Sequence, residues 1–326
     1  MAPSKTIPTN VHAVRPADIK LVMALGDSLT AGNGADATEI FQILIQYRGL
    51  AFLAGGDKGL DQHITIPSML YHKLYNLLDI LQKYNPNLFG QSYGIGASEV
   101  WDVSYLNMAF PGSLAEGLPA QANQLVNTLK DHPEGQVNAA DFASNISQAI
   151  QIVKDNIPRV IVNLVSLFQF ELVRSIDNGD GFCQDFHLIE CNCERTNETN
   201  AQMKNISLQF QQAEKQLETS GIFEADDFTL VIQPFLNDVT VPPLLPNGSV
   251  NHQIFAPDCF HFSEMGHALV ASWLWKNMLE PVGSKTTLAN ISYPVLPLSC
   301  PDSTCPFIRT TNNSKNCQQY YNPVAL

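Results

Sequence analysis

Along this chain short, unbroken apolar runs alternate with longer spans whose apolar residues recur at helical spacing. The runs 20–25 (KLVMAL), 103–109 (VSYLNMA), 158–167 (PRVIVNLVSL) and 227–235 (DFTLVIQPF) are short and bounded by turn residues. That pattern predicts strands buried on both faces of a parallel sheet. Helical periodicity marks 66–86, 117–132, 138–156, 200–221 and 263–283, the last opening on a Ser cap with Glu behind it and closing on Gly. The span 36–57 reads as helix passing into a long loop. Strands alternating with helices predict an α/β fold with right-handed crossovers. One place breaks the alternation: helices 117–132 and 138–156 follow each other with no strand between them. From about Tyr293 the chain turns Pro- and Cys-rich, so 1–292 is expected as the domain and 293–326 as an irregular tail.

Composition narrows the function classes. The 326 residues are 45% hydrophobic and carry a formal net charge of −13, with no Lys and Arg cluster, which argues against nucleic acid as a partner. No apolar stretch reaches the roughly 18 residues of a membrane-spanning helix. The opening MAPSKTIPTN has no apolar segment behind it and does not read as a signal peptide. Six Asn-x-Ser/Thr sequons, at Asn145, Asn197, Asn205, Asn247, Asn290 and Asn312, point to a secreted or lumenal protein. Seven cysteines agree with an oxidising compartment: Cys183, Cys191 and Cys193 in one loop, Cys300, Cys305 and Cys317 in the tail, and Cys259 alone. A zinc site in the first loop is the weaker reading, since FCQDFHLIECNC matches no common ligand spacing. The odd total leaves one thiol free or one partner missing.

The chemistry gathers at two places. Ser28, in GDSLTAGNGA, stands where a strand gives way to a helix, the position at which open α/β sheets bind ligands. It is not the Gly-x-Ser-x-Gly elbow, because Thr30 stands where the second Gly would be; a plain helix cap is the competing role. A hydroxyl needs a base, and the base a third group to orient it. In PDCFHFSEMGH, Asp258 and His261 are three residues apart ahead of the last helix, a spacing that lets the carboxylate hold one imidazole nitrogen while the other faces a nucleophile. His267, on that helix, is expected to pack. A metal site from Asp258, His261 and His267 lacks a third strong ligand at familiar spacing.

GDSLTAGNGA resembles the first block of the GDSL, or SGNH, hydrolases, and the wider string VHAVRPADIKLVMALGDSLTAG resembles their phospholipase B branch. QYRGLAFLAGGD (46–57), NMAFPGSLAEGLPAQ (107–121), PRVIVNLV (158–165), the stretch 258–283 and the tail LSCPDSTCPFIRTTNNS extend the likeness over nearly the whole chain. The resemblance implies a three-layer α/β/α sandwich with a parallel sheet. It implies Ser28 as nucleophile, His261 as general base and Asp258 as its orienting carboxylate, with the N–H groups of Ser28 and Gly112 forming the oxyanion hole. It also implies no metal or other cofactor, and substrates among phospholipids, lysophospholipids and glycerides met at a membrane or micelle surface, with no protein partner. The family's third block, Gly-x-Asn-Asp, whose Asn supplies a third oxyanion donor, has no counterpart here. Its place falls at the junction DHPEGQVNAAD (131–141), so one central strand is expected to be lost with it. Asn163 belongs to a separate block and is not its replacement. Two further readings stand beside the lipid hydrolase: an impaired or silent lipid-binding glycoprotein, and a hydrolase of acetylated carbohydrate or another small ester. The apolar stretch 41–53, Trp273 and Trp275 are expected to pack in the core.

Overall fold

The computed structural model describes residues 2–57, 63–66, 80–129, 142–177, 181–190, 199–292 and 297–321. Most of the helix expected at 66–86, the junction 131–141, Cys191, Cys193 and Asn197 lie outside the described residues.

The chain runs through α1 (Ser28–Ala31), α2 (Trp101–Ser104), α3 (Leu118–Leu129), α4 (Phe142–Asn156), β1 (Val160–Val165), α5 (Leu172–Asp177), α6 (Gly181–Glu190), α7 (Asn200–Thr219), β2 (Phe228–Gln233), α8 (Glu264–Leu279) and α9 (Thr311–Lys315). β1 and β2 pair in parallel, Val160 opposite Phe228 and Val165 opposite Gln233. Alternation along each strand feeds two separate cores. Val160, Phe228, Leu230 and Ile232 join Ile146, Ala149, Ile150 and Val153 of α4. Ile161 and Val165 lean instead on the cluster holding Leu269, Val270, Trp273 and Leu274 of α8. Helices thus cover both faces of the pair. α8 is buried nearly all round, and the indole N–H groups of Trp273 and Trp275 donate to the carbonyls of Asn290 (3.0 Å) and Ser299 (2.7 Å), so both tryptophans pack as expected.

Several elements differ from the sequence pattern. Residues 103–104 end α2 rather than open a strand, because the amides of Val103 and Ser104 fold back onto the carbonyl of Val100. The left-handed Tyr105 then releases the chain into a bridge at Asn107. In 36–57 only two 3₁₀ turns form, Ile40–Leu44 and Arg48–Leu50. The cysteine loop is helical over α6, and Cys183 is bonded to Cys259, so neither stands alone and neither sulfur is a thiolate ready for zinc. The tail is irregular but packed: Cys305 is bonded to Cys317, the Ile308 amide donates to Val14, and Asn313 and Thr310 bind the buried His12. Cys300 is free and exposed.

Residues 20–26 run extended, but only on one edge are they bonded to described residues. Val22 and Ala24 donate to Phe89 and Leu106, and Met108 and Phe110 donate back to Ala24 and Gly26. In a parallel ladder successive residues face opposite edges, so Leu21, Met23 and Leu25 present their amides to the other side. β1 is the mirror case: Val160 donates to Asp227, just ahead of β2, and Ser166 to Gln233 at its end, leaving Ile161, Asn163 and Val165 to face outward. Among the described residues no backbone hydrogen bond joins the two edges. A cavity of about 390 Å³ separates them, walled by Met23, Leu25, Ile161 and Asn163 and covered by Ile150 and Leu118.

Glu214 of α7 also faces the slot, and the hydroxyl of Ser166 donates to its carboxyl. Burial pushes that carboxyl up from 4.5 to about 7. The folded chain therefore keeps a proton that the unfolded chain has released, and stability falls as pH rises from about 4.5 to about 7, then levels. Glu214→Gln keeps the hydrogen bond without the charge. Urea denaturation at pH 5 and pH 8 is expected to show the stability loss between them reduced by about 3 kcal/mol in the variant; an unchanged difference would contradict the assignment.

Candidate active site

α1 is a single helical turn built at the end of the extended segment. Asp27 caps it, accepting from the amide of Leu29 at 2.9 Å, and Gly32 ends it in the left-handed region at φ +71. A Cβ on Gly32 would lie 2.5 Å from the carbonyl oxygen of Tyr47, so only glycine lets the two backbones approach. Ser28 is the first residue of this turn and is half-buried.

The imidazole arrives on an equally tight loop. Cys259 is left-handed (φ +61), which turns the amides of Phe260 and His261 back onto Asp258 Oδ1, both at 3.0 Å. The Cys183 disulfide holds that residue, and His187 of α6 reaches the Cys259 carbonyl at 3.3 Å while its Nδ1 lies 2.6 Å from Asp177. Asp258 Oδ2 is 2.6 Å from His261 Nδ1, and His261 Nε2 is 2.7 Å from Ser28 Oγ. A carboxylate against Nδ1 fixes the tautomer whose Nε2 is free to accept the serine proton. Asp258 is fully buried and His261 only 7% exposed.

Environment separates the two carboxyls near Ser28. Burial pushes Asp258 upward, yet the His261 hydrogen bond and charge, with the two loop amides, outweigh it and hold the group below the usual range. Asp27 goes the other way, raised by burial that the Leu29 amide and His261 only partly offset.

Gly112 sits in a turn with Pro111 before it, φ +75, and the Ser113 amide donating to the Phe110 carbonyl at 3.0 Å. That is the pattern of a type II turn, whose central peptide directs its N–H away from the closing hydrogen bond. The loop is fastened to the serine turn: Phe110 donates to Gly26, and the Gln121 amide both accepts from Gly26 N–H and donates to the Gly26 carbonyl, each at 2.8 Å. Among the described residues the amides of Ser28 and Gly112 donate to no protein acceptor.

Of the residues expected at the site, Ser28, His261 and Asp258 form one hydrogen-bonded chain, and Gly112 lies on the adjoining loop. His267 does not join them. It is fully buried, its Nδ1 accepts from the Phe52 amide at 3.2 Å, and burial holds it well below its usual value, the state of a packed neutral imidazole. Asn163 Oδ1 accepts from the side-chain amide of Gln233 at 2.8 Å in mid-strand. Arg48 was not foreseen. Fully buried, it donates to the carbonyls of Gly96, Asn107 and Ala109 at 2.8, 3.0 and 2.6 Å, and so clamps the segment leading to Gly112. A lone cation within the apolar string YRGLAF is the signal that marked it.

A family model described as GDSL-like Lipase/Acylhydrolase matches residues 22–274. "Phospholipase B1, membrane-associated" from Rattus norvegicus and from Homo sapiens are each 36% identical over 347 residues, covering 96% of this chain. The chain spans only 23% of the length of either relative. Because 347 aligned positions exceed the 326 residues present, the relatives carry sequence that this chain lacks. No solved structure matches the chain.

Replacing Arg48 by Met leaves two buried carbonyls and one half-buried one without their donor, at a cost on the order of 3 kcal/mol. Urea denaturation is expected to show that loss for Arg48→Met and a partial recovery for Arg48→Lys, which carries the charge but not the fork. Equal stability of all three proteins would contradict the clamp.

Proposed function

Because the chain belongs to the GDSL-like lipase/acylhydrolase family, we propose that it is a serine hydrolase of lipid acyl esters. The observation that carries this reading is the chain of two short hydrogen bonds from Asp258 through His261 to Ser28. Ser28 Oγ attacks the ester carbonyl carbon while His261 Nε2 takes its proton. The negative oxygen of the tetrahedral intermediate accepts from the amides of Ser28 and Gly112. Its collapse breaks the ester bond, and the imidazolium returns the proton to the leaving alcohol. Water, deprotonated by the same imidazole, then attacks the acyl-serine and releases the acid. No step calls on a metal or other cofactor.

The proposed fold is the α/β/α sandwich with its central strand lost, supported by helices on both faces of the β1–β2 pair and by the slot beside it. With that strand goes the third oxyanion donor. One missing donor costs roughly a hundredfold to a thousandfold in turnover, so the enzyme we propose is slow. The slot equally favours a second reading, a chain that binds lipid without turning it over. The proposed substrates are phospholipids, lysophospholipids or glycerides at a membrane or micelle surface, in keeping with the relatives' name, phospholipase B1. Among the described residues no helix is long and apolar enough to cross a membrane. A secreted or lumenal setting is supported by two disulfides and by exposed sequons at Asn205, Asn247 and Asn290; Asn145 is buried.

A fluorophosphonate probe separates the two readings. Stoichiometric labelling that disappears in Ser28→Ala is expected for the enzyme, and a folded but unlabelled protein would support the silent form. Asp258→Asn is expected to lower kcat by about 10³- to 10⁴-fold, since an amide no longer fixes the tautomer. Turnover of lysophosphatidylcholine above that of a short acetyl ester is expected for a lipid enzyme; the reverse order would move the substrate to small esters.

A further inference from the structure

The slot extends beyond the two strand edges. Its lining continues from β1 and α4 up to Gly26, Asp27 and Thr30, the residues that flank Ser28, and to Ser113 and Leu114, which follow Gly112. The lining of this mainly apolar cavity thus includes chain neighbours of both the serine and Gly112. The broad faces are side chains of opposite layers, Leu118, Ile146 and Ile150 on one and Phe52, Leu53 and Leu167 on the other. The narrow walls are the two strand edges. At about 30 Å³ for a water-sized group, the 390 Å³ within holds roughly a dozen methylenes.

We propose that this interstrand slot receives the acyl chain of the substrate, the ester carbonyl resting at Ser28 and the hydrocarbon running between Leu21–Leu25 and β1 toward α4. The inference rests on Ser28 as the acyl-accepting group and deepens that reading into a chain-length specificity. A parallel sheet has no room for a ligand between hydrogen-bonded strands, so the site exists only because these two edges are apart. Burial of methylenes between the side-chain faces supplies the affinity, up to about fourfold per methylene. The edge amides at the narrow walls keep water or stay beside the methylenes, which holds the gain below that figure. Selectivity then follows depth: each added methylene improves binding until the slot is full, after which longer chains gain nothing. Ala149, whose small side chain leaves α4 open to the slot, sets the floor.

Two measurements test this with the full chain. In the first, kcat/KM is compared for p-nitrophenyl esters of 4, 8, 12 and 16 carbons; a rise to about 12 followed by a plateau is expected, and a flat series overturns the proposal. Ala149→Phe and Val162→Phe, which fill the slot from different walls, are expected to lower the 12-carbon to 4-carbon ratio at least tenfold. In the second, cis-parinaric acid is titrated into Ser28→Ala and followed by fluorescence. Saturable binding lost on adding either filling substitution is expected, and binding that survives both overturns the slot. Titration needs no turnover. If no ester is cleaved and Ser28 is unlabelled while the fatty acid still binds in the slot, the hydrolase reading fails and the acyl site stands; if esters are cleaved without length preference, the reverse holds. Should one variant fail to fold, the other and the wild-type length series still decide.

Discussion

Among the described residues two strand edges line one cavity without sharing a backbone hydrogen bond, so the ladder that ordinarily fixes the ends of a sheet does not fix the serine turn against the imidazole loop. Other contacts carry that load. Ser28 meets His261 across 233 residues of chain, and the amide of Glu264, at the start of α8, donates to Ala35 at 2.6 Å just beyond the serine turn. Gln121 spans both polar groups of Gly26, Arg48 holds the carbonyls before the Gly112 turn, and the Cys183–Cys259 bond ties the imidazole loop to α6. Each works from outside the sheet. The site thus keeps its geometry on side chains, caps and one covalent link, while the interior beneath it is open.

The electrostatics follow from the same economy of partners. Asp258 gains a ring N–H and two backbone amides, enough to remain ionised against full burial. Asp27, only a few residues from Gly32 and capping a helix of one turn, gains too little and is held up by burial. One carboxylate therefore carries the negative charge that a protonated His261 requires, while burial disfavours charge on the other. Asp177 and His187 repeat the carboxylate–imidazole pairing one layer out, where the imidazole ends on a backbone carbonyl instead of a hydroxyl and serves to seat Cys259.

How much of this was legible in the sequence depends on whether the signal was local. β1, β2, α7 and α8 were readable because each carries its own period and its own stops, and their positions in the structure fall within those spans. Ser28, Asp258 and His261 were readable because the nucleophile sits at a strand end and the other two are three residues apart. VSYLNMA misled because its β-branched and aromatic residues suit a strand, while the carbonyl of Val100, outside that window, captures the amides of Val103 and Ser104. The lone Cys259 could not be paired from sequence, since its partner lies 76 residues away in a stretch that spacing assigned to a loop. Arg48 and Gln121 act on backbone groups far from them in the chain, which no periodicity records.

In the enzyme we propose, the proposed loss of one strand links its low turnover to its chain-length selectivity. A central strand in an α/β hydrolase does two things: it fills the space between its neighbours, and the loop at its end brings a donor to the reacting oxygen. Where both are gone, the transition state loses a hydrogen bond worth about 3–4 kcal/mol, and the ground state gains a cavity that can bind hydrocarbon. The two changes act on different quantities. The missing donor lowers kcat, because it was felt only as charge developed; methylene burial strengthens substrate and transition state alike, so it lowers KM and cannot repair kcat. The enzyme we propose is therefore expected to be selective for long acyl groups at low concentration and slow at saturation, a profile nearer to that of a lipid carrier with residual chemistry than to that of a digestive esterase.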